Sequence, residues 1–305
     1  MQNLGTLDHH YTILSEKTVD FLRTYYTARN NENQNICIIE IKRNNNNNND
    51  NFPAQETQIV TQLNNLNCPY ILRYLGNGNG ELNLVGQPPR NEAYMVYENA
   101  SRFLLFDYIQ QGAFSERQAK LLFKKILIGV QAIHNANICH RDIKVENILF
   151  DENYNPKIYG FYLSCINANN LQEWVGTLSY TAPEILRHQP YDGFKADIFS
   201  LGQLLFNLVT RMVGFHSSND NDQFYTFIRN HQINAYWNQV QFQNLNLTND
   251  FKDLFIRMVA FNPNERPTFE EILSHQWLQE INNLNPDQLN HLEQDLINEL
   301  HNREA

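Results

Sequence analysis

The sequence predicts an α+β protein in two parts, a small antiparallel β part holding one helix and a larger, mainly helical part, and three patterns predict it. Short β-like runs broken by Asn-rich turns occupy the chain as far as Glu98. Apolar residues at helical spacing dominate from Glu116 onward. A length of 305 residues with 42% hydrophobic and 12% aromatic content suffices to bury one large core or two adjoining ones.

After an N-terminal extension, 1–10, the runs Tyr11–Leu14, Leu22–Ala28 and Ile36–Ile41 read as strands. An Asn-rich insert, 43–51, interrupts the β part. Its core, Asn44–Asn49, cannot bury apolar surface to offset its ordering entropy and reads as a loop, the alternative being a recognition insert. Glu56–Leu66 has Ile59, Val60, Leu63 and Leu66 on one helical face and stops at Cys68-Pro69. Another strand pair follows and ends with Tyr94–Tyr97, which places the first part at 11–98.

The second part, 99–278, opens with a helix over Glu116–His134, marked by Leu121, Leu122, Ile126, Val130 and Ile133. Asp197–Val209 is apolar on nearly every side and reads as a buried central helix. The tail, 279–305, carries Asn285-Pro286-Asp287, a capping residue followed by a first-turn proline, and then the stripe Leu289, Leu292, Leu296, Ile297, Leu300. This closing amphipathic helix either docks on the second part or makes a partner or dimer contact through 287–300.

Twenty-three basic against 33 acidic side chains leave a net charge of −10, a field that repels nucleic acid and anionic membrane and favours protein or small-molecule partners. Cys37, Cys68, Cys139 and Cys165 lack metal-ligand spacing, and no apolar stretch resembles a signal peptide or a membrane span. Reduced thiols in a cytoplasmic or nuclear protein are expected.

One segment carries chemistry. His140-Arg141-Asp142-Ile-Lys144-Val-Glu-Asn147 sets a carboxylate, a cation and an amide on a single loop, the residue types needed around a phosphoryl group in transfer. With Gly176-Thr177-Leu-Ser-Tyr-Thr-Ala-Pro-Glu184, Asp197-Ile-Phe-Ser-Leu-Gly202 and Asn262-Pro-Asn-Glu-Arg266-Pro267 in the same order, the chain resembles the eukaryotic protein kinases of Ser/Thr type over about residues 11–278. The resemblance implies the bilobal protein-kinase fold. It also implies roles: Asp142 as the base for a substrate hydroxyl, Lys144 beside the phosphate in flight, Asn147 as a metal ligand, and Thr177 contacting Asp142. His140, Arg141, Phe161, Glu184, Asp197 and Arg266 take structural or regulatory positions, with Glu184 and Arg266 forming a buried ion pair.

The departures from the family all fall on its ATP-holding parts. Gly160 stands where the magnesium-binding aspartate belongs, thirteen residues beyond Asn147. The three loop glycines align with Thr18, Asp20 and Arg23. The strand lysine aligns with Ile39, taking Cys37 for the usual alanine, and the helix glutamate is left open between Glu56 and, without a gap, Ile59. Tyr25, Cys37, Tyr97, the residue before the hinge, and Leu149 then line a degenerate nucleotide pocket with Arg23. The with-no-lysine kinases carry a cation at the position of Arg23, which either contacts phosphate or is a solvated arginine on an edge strand. Glu173, eleven residues before Glu184, occupies a position that many kinases phosphorylate; it either pairs with Arg141 in place of a phosphate or is an exposed glutamate. The resulting expectation is a pseudokinase acting as a binding or allosteric signalling protein, with no or weak nucleotide binding. The alternative is an active or weakly active Ser/Thr kinase using ATP and magnesium, with Asp142 as base and Arg23 as substitute cation.

Overall fold

A computed structural model describes residues 3–18, 23–42, 54–100 and 102–304. The Asn-rich insert and Asp20 therefore lie outside the described residues, as does the side chain of Lys42. The chain divides into two compact units, residues 1–102 with 149–162, and residues 103–148 with 163–305.

In the first unit the strands are β1 (Gly5–Leu7), β2 (Tyr11–Thr18), β3 (Arg23–Asn30), β4 (Ile36–Lys42), β5 (Tyr74–Leu84) and β6 (Arg90–Tyr97), with α1 (Ala54–Asn64) between β4 and β5. Neighbours pair antiparallel in the order β1-β2-β3-β4-β6-β5, and β1 also pairs with β5, so the sheet closes into a barrel. Closure removes the exposed edges of an open sheet. β1 falls in the stretch expected to be an extension, because three residues are too few for a period-two pattern to register.

The β3–β4 register is fixed by its turn, where the Asn30 side chain accepts from the backbone N–H groups of Glu32 and Asn33. Tyr26 then stands opposite Ile39 and Ala28 opposite Cys37, and all four point into the barrel core with Leu7, Ile13, Ile41, Leu82 and Val96. By alternation Ile38 and Glu40 lie on the other face with Tyr25, directly opposite Glu40, and Arg23. α1 buries Glu56, Ile59, Val60 and Leu63. Residues 149–162 belong to this unit because Ile158 bridges to Ile71 and exchanges backbone hydrogen bonds with Tyr70 and Leu72 at 2.8 and 2.9 Å.

The second unit is helical: α2 (Leu105–Gln111), α3 (Glu116–Asn135), α4 (Pro183–Leu186), α5 (Gly193–Thr210), α6 (Gln223–Arg229), α7 (Ile233–Trp237), α8 (Asn249–Met258), α9 (Phe269–Ser274), α10 (Gln276–Asn282) and α11 (Pro286–Arg303). Ser115 caps α3 through a reciprocal box with Gln118. α5 packs on α3 and α8, which accounts for its apolar sequence on nearly every side. Asn285 caps α11, which lies on α2 and α3 and buries Leu292, Leu296 and Leu300. Arg303 ties its end down by donating to the carbonyls of Tyr108, Gly112 and Ala113. Of the two alternatives for this stripe, docking on the second part is the one seen, each buried leucine contributing about 1.5–3 kcal/mol. Among the described residues no helix is long and apolar enough to cross a membrane.

Candidate active site

In the first unit, three charged side chains from β3, β4 and α1 converge. Arg23 donates from Nη1 to Glu56 Oε1 at 2.9 Å and from Nη2 to Glu56 Oε2 at 3.1 Å, and its Nη1 also donates to Glu40 Oε1. The three side chains are 4%, 1% and 1% exposed. The Tyr162 ring covers the guanidinium at 4.4 Å. Burial opposes the arginine's charge, but Tyr25 and Glu56 outweigh it and hold the guanidinium above its ordinary value. One fixed cation therefore faces two carboxyl groups, and Glu40 Oε2 has no hydrogen-bond partner among the described residues.

This geometry corrects the placement of Cys37 and Ile39 and narrows two open alternatives. Arg23 is not a solvated edge arginine but the buried centre of the group. Cys37 and Ile39 do not line the site face, since the register turns both into the barrel core, where burial pushes the Cys37 thiol up to about 12. Glu40, opposite Tyr25, holds the position assigned to Ile39. Of the two candidates for the helix glutamate, Glu56 is the one in contact with Arg23, and Ile59 is buried on the same helix.

Other residues of the expected pocket are packed within this unit. Tyr25 meets Tyr159 edge-on at 5.2 Å, and Tyr97 meets Tyr74 edge-on at 5.9 Å. Tyr97 is 1% exposed, and burial holds its phenol well above the ordinary value. Leu149 and Phe161 are buried. Gly160 has φ = 84°, a left-handed conformation natural to glycine and strained for an aspartate.

The second unit holds a different group. Asp142 Oδ1 accepts from Thr177 Oγ1 at 2.8 Å, Oδ2 accepts from Asn147 Nδ2 at 3.0 Å, and Lys144 Nζ lies 3.1 Å from Oδ2. Lys144 also donates to Thr177 Oγ1 at 2.9 Å, so the threonine hydroxyl links cation to carboxylate. The loop is held from below by Asp197, whose oxygens accept from the backbone N–H groups of His140 and Arg141 at 2.8 and 2.9 Å and from His134 at 2.8 Å. His140 Nδ1 accepts the Asp142 N–H at 3.2 Å. Farther on, Arg266 Nη1 and Nη2 each donate to a Glu184 oxygen at 2.7 Å, a buried two-pronged pair.

Arg141, at φ = 65°, reaches Glu173 Oε2 from Nη1 at 3.2 Å and donates from Nε to the Leu163 carbonyl at 2.5 Å. Glu173 is 62% exposed. Its own backbone N–H lowers its carboxyl below the ordinary value against a small burial effect, and Arg141 adds to the lowering.

Of the two positions that the resemblance assigns to magnesium, one lacks a carboxylate and one keeps its oxygen. Gly160 offers no side chain, whereas Asn147, whose Nδ2 is bound to Asp142 at 2.7 and 3.0 Å, keeps its amide oxygen as a candidate ligand. Sequence reasoning missed Glu40, Tyr159 and Tyr162. In Ile36-Cys-Ile-Ile-Glu40-Ile41 only Glu40 breaks the apolar run, and that lone carboxylate was the available signal for the outward face.

A cation and a carboxylate on a loop clamped by a buried aspartate, in the helical unit of a chain whose other unit is a β barrel, accord with the protein kinase family. The chain belongs to that family: the model described as protein kinase domain matches residues 22–278. The expected α+β fold class and Ser/Thr-type kinase family both hold. The relatives it resembles include KCC4, a probable serine/threonine-protein kinase of Saccharomyces cerevisiae, 33% identical over 61% of this chain and 18% of the relative. MARK-B, a probable serine/threonine-protein kinase of Dictyostelium discoideum, is 33% identical over 64% of this chain and 27% of its own length. CBL-interacting protein kinase 5 of Oryza sativa is 32% identical over 62% of this chain and 40% of its own. The chain thus spans less than half the length of each of these relatives.

Proposed function

We propose that this Ser/Thr-type kinase domain is a pseudokinase, a binding or allosteric signalling module with impaired nucleotide handling. The observation that carries this reading is the buried Arg23–Glu40–Glu56 group. The family sets one lysine against one glutamate where phosphates are gripped. Here a second carboxylate is added, so with both ionised the group sums to −1 and repels a triphosphate. The absence of a carboxylate at Gly160 acts on the same ligand. Protein partners are expected at the exposed Trp174 and Leu178, 61% and 51% accessible, on the segment before Glu184. Four free thiols accord with a cytoplasmic or nuclear setting.

A second reading, an active or weakly active kinase transferring the ATP γ-phosphate to protein hydroxyls, is favoured by one observation. Asp142, Lys144 and Thr177 are mutually hydrogen-bonded, and Arg23 binds Glu56 as a substitute cation would. A thermal-shift titration with ATP, with and without magnesium or manganese, separates the two. Binding to the native state alone adds about 2.7 kcal/mol at 100 times Kd. The pseudokinase reading expects no metal-dependent rise. A rise, with phosphate transfer that disappears in Asp142→Asn, overturns it.

A further inference from the structure

Cys139 and Cys165 face each other directly across the short antiparallel pair Ile138–Cys139 and Cys165–Ile166. Both are free thiols, and their sulfurs stand 3.3 Å apart. Residues directly opposed in such a pair have Cα atoms roughly 4.5–5.5 Å apart, within the roughly 4.4–6.8 Å that disulfides span. A bond between them therefore needs side-chain rotation and little backbone movement. Gly193 makes the room, since a Cβ there would stand 2.5 Å from Cys139 Sγ. The walls are otherwise apolar, formed by Ala168, Leu171 and Phe194.

The two sulfurs are unequal. Cys139 is fully buried, while Cys165 keeps 7% exposure. Contact with Cys139, together with the charge of Arg141, holds the Cys165 thiol below its ordinary value, and the same contact together with burial raises Cys139. Cys165, the more exposed sulfur and the one beside the Arg141 charge, is the one placed to meet a solute first, with Cys139 placed to resolve.

We propose that Cys139 and Cys165 are a modification site, closing to a reversible disulfide when the protein meets a hydroperoxide. The Cys165 thiolate attacks one peroxide oxygen, the O–O bond breaks, and the departing hydroxide takes up the thiol proton as water, leaving a sulfenic acid. The Cys139 sulfur then attacks Cys165 Sγ. The S–O bond breaks, hydroxide leaves with the Cys139 proton as a second water, and two thiols have been oxidised by the two electrons the peroxide gains. The bond ties the strand that leads into His140-Arg141-Asp142 to the strand that begins the segment ahead of Glu184. In the thiol form those strands are joined by a two-residue pairing flanked by the Asn167–Asn137 and Ser164–His140 hydrogen bonds. The inference does not depend on whether the domain binds ATP.

The test uses the intact chain, treated with hydrogen peroxide, blocked with iodoacetamide and digested without reductant. The expected product is a cross-linked peptide pair containing Cys139 and Cys165, lighter by two hydrogens and released by dithiothreitol. A melting temperature raised by oxidation and restored by reduction should accompany it. Cys165→Ser should abolish both signals and Cys68→Ser should keep both. Peptides in which both thiols are alkylated, Cys165 oxidised to sulfinic acid without a cross-link, or cross-links confined to Cys37 and Cys68 overturn the proposal. If Cys165→Ser fails to fold, the peptide map of the unsubstituted chain decides alone.

Discussion

The Arg23 group of the first unit and the Asp142 group of the second each bring a cation to a carboxylate, and they differ in what is left over. Around Asp142 each carboxylate oxygen is engaged: Thr177 donates to one, Asn147 and Lys144 reach the other, and Glu146 stands close enough for its charge to be felt. Around Arg23 there is one cation for two carboxylates, all buried, with Glu40 Oε2 lacking a hydrogen-bond partner among the described residues. Buried ion groups are costly to desolvate and more costly to break. The first group therefore ties β3, β4 and α1 together through a buried cation, whereas the second retains the arrangement that phosphoryl transfer would use.

The sharpest way to break this comparison is to remove the first group's cation. Arg23→Met leaves two buried carboxylates without their counter-ion and should cost about 3–5 kcal/mol in urea unfolding. Adding Glu40→Gln and Glu56→Gln removes the stranded charge and should recover most of that loss. Equal stability of the single and triple variants would mean that the three side chains are not electrostatically coupled. On the other side, Asp197→Ala strips the acceptor from the His140 and Arg141 N–H groups, and each stranded donor costs about 1–3 kcal/mol. With two backbone donors and His134 stranded, its unfolding should be destabilised to a degree comparable with Arg23→Met, read from the same urea series.

A nucleotide-side variant sharpens the contrast. Gly160→Asp restores the family's carboxylate, yet at φ = 84° a side chain costs about 1–2 kcal/mol, and the Arg23 group keeps its excess carboxylate. Thermal titration with ATP and magnesium should show a destabilised protein with no metal-dependent rise. Only with Glu40→Gln added should a metal-dependent rise appear, because that change balances the buried charge. A rise in Gly160→Asp alone would assign the loss of binding to residue 160 and relieve Glu40 of any part in it.

What could be read in advance depended on whether a feature is contiguous in sequence. The catalytic loop is one octapeptide, and α3, α5 and α11 declare themselves by apolar period and caps. The Arg23 group joins three elements, and two things concealed it. In β4, alternation is silent, because Ile36, Cys37, Ile38, Ile39 and Ile41 are all apolar and either face could be the inner one. Three extra residues between Glu56 and Cys68-Pro69 also break the count that would place Glu56, so its partner had to come from packing. β1 was concealed by its length alone.

Arg141 and Glu173 give the smallest expected effect, because one partner is 62% exposed and water screens the attraction. Glu173→Gln should change global stability by less than about 0.5 kcal/mol, within the range of exposed pairs. The sign of its pH dependence follows from a carboxyl lowered in the folded state. Its contribution is present above the ordinary carboxylate value and is lost as pH falls through the lowered one. The informative readout is local, because Arg141 also binds the Leu163 carbonyl and Tyr191, whose hydroxyl donates to the Glu173 carbonyl at 3.1 Å. Losing the charge should loosen the stretch around Trp174 and speed its cleavage by chymotrypsin while the melting temperature stays in place. If cleavage is unchanged, the fixed carboxylate does not stand in for a phosphate, and the Tyr191 and Leu163 contacts alone keep the segment ordered.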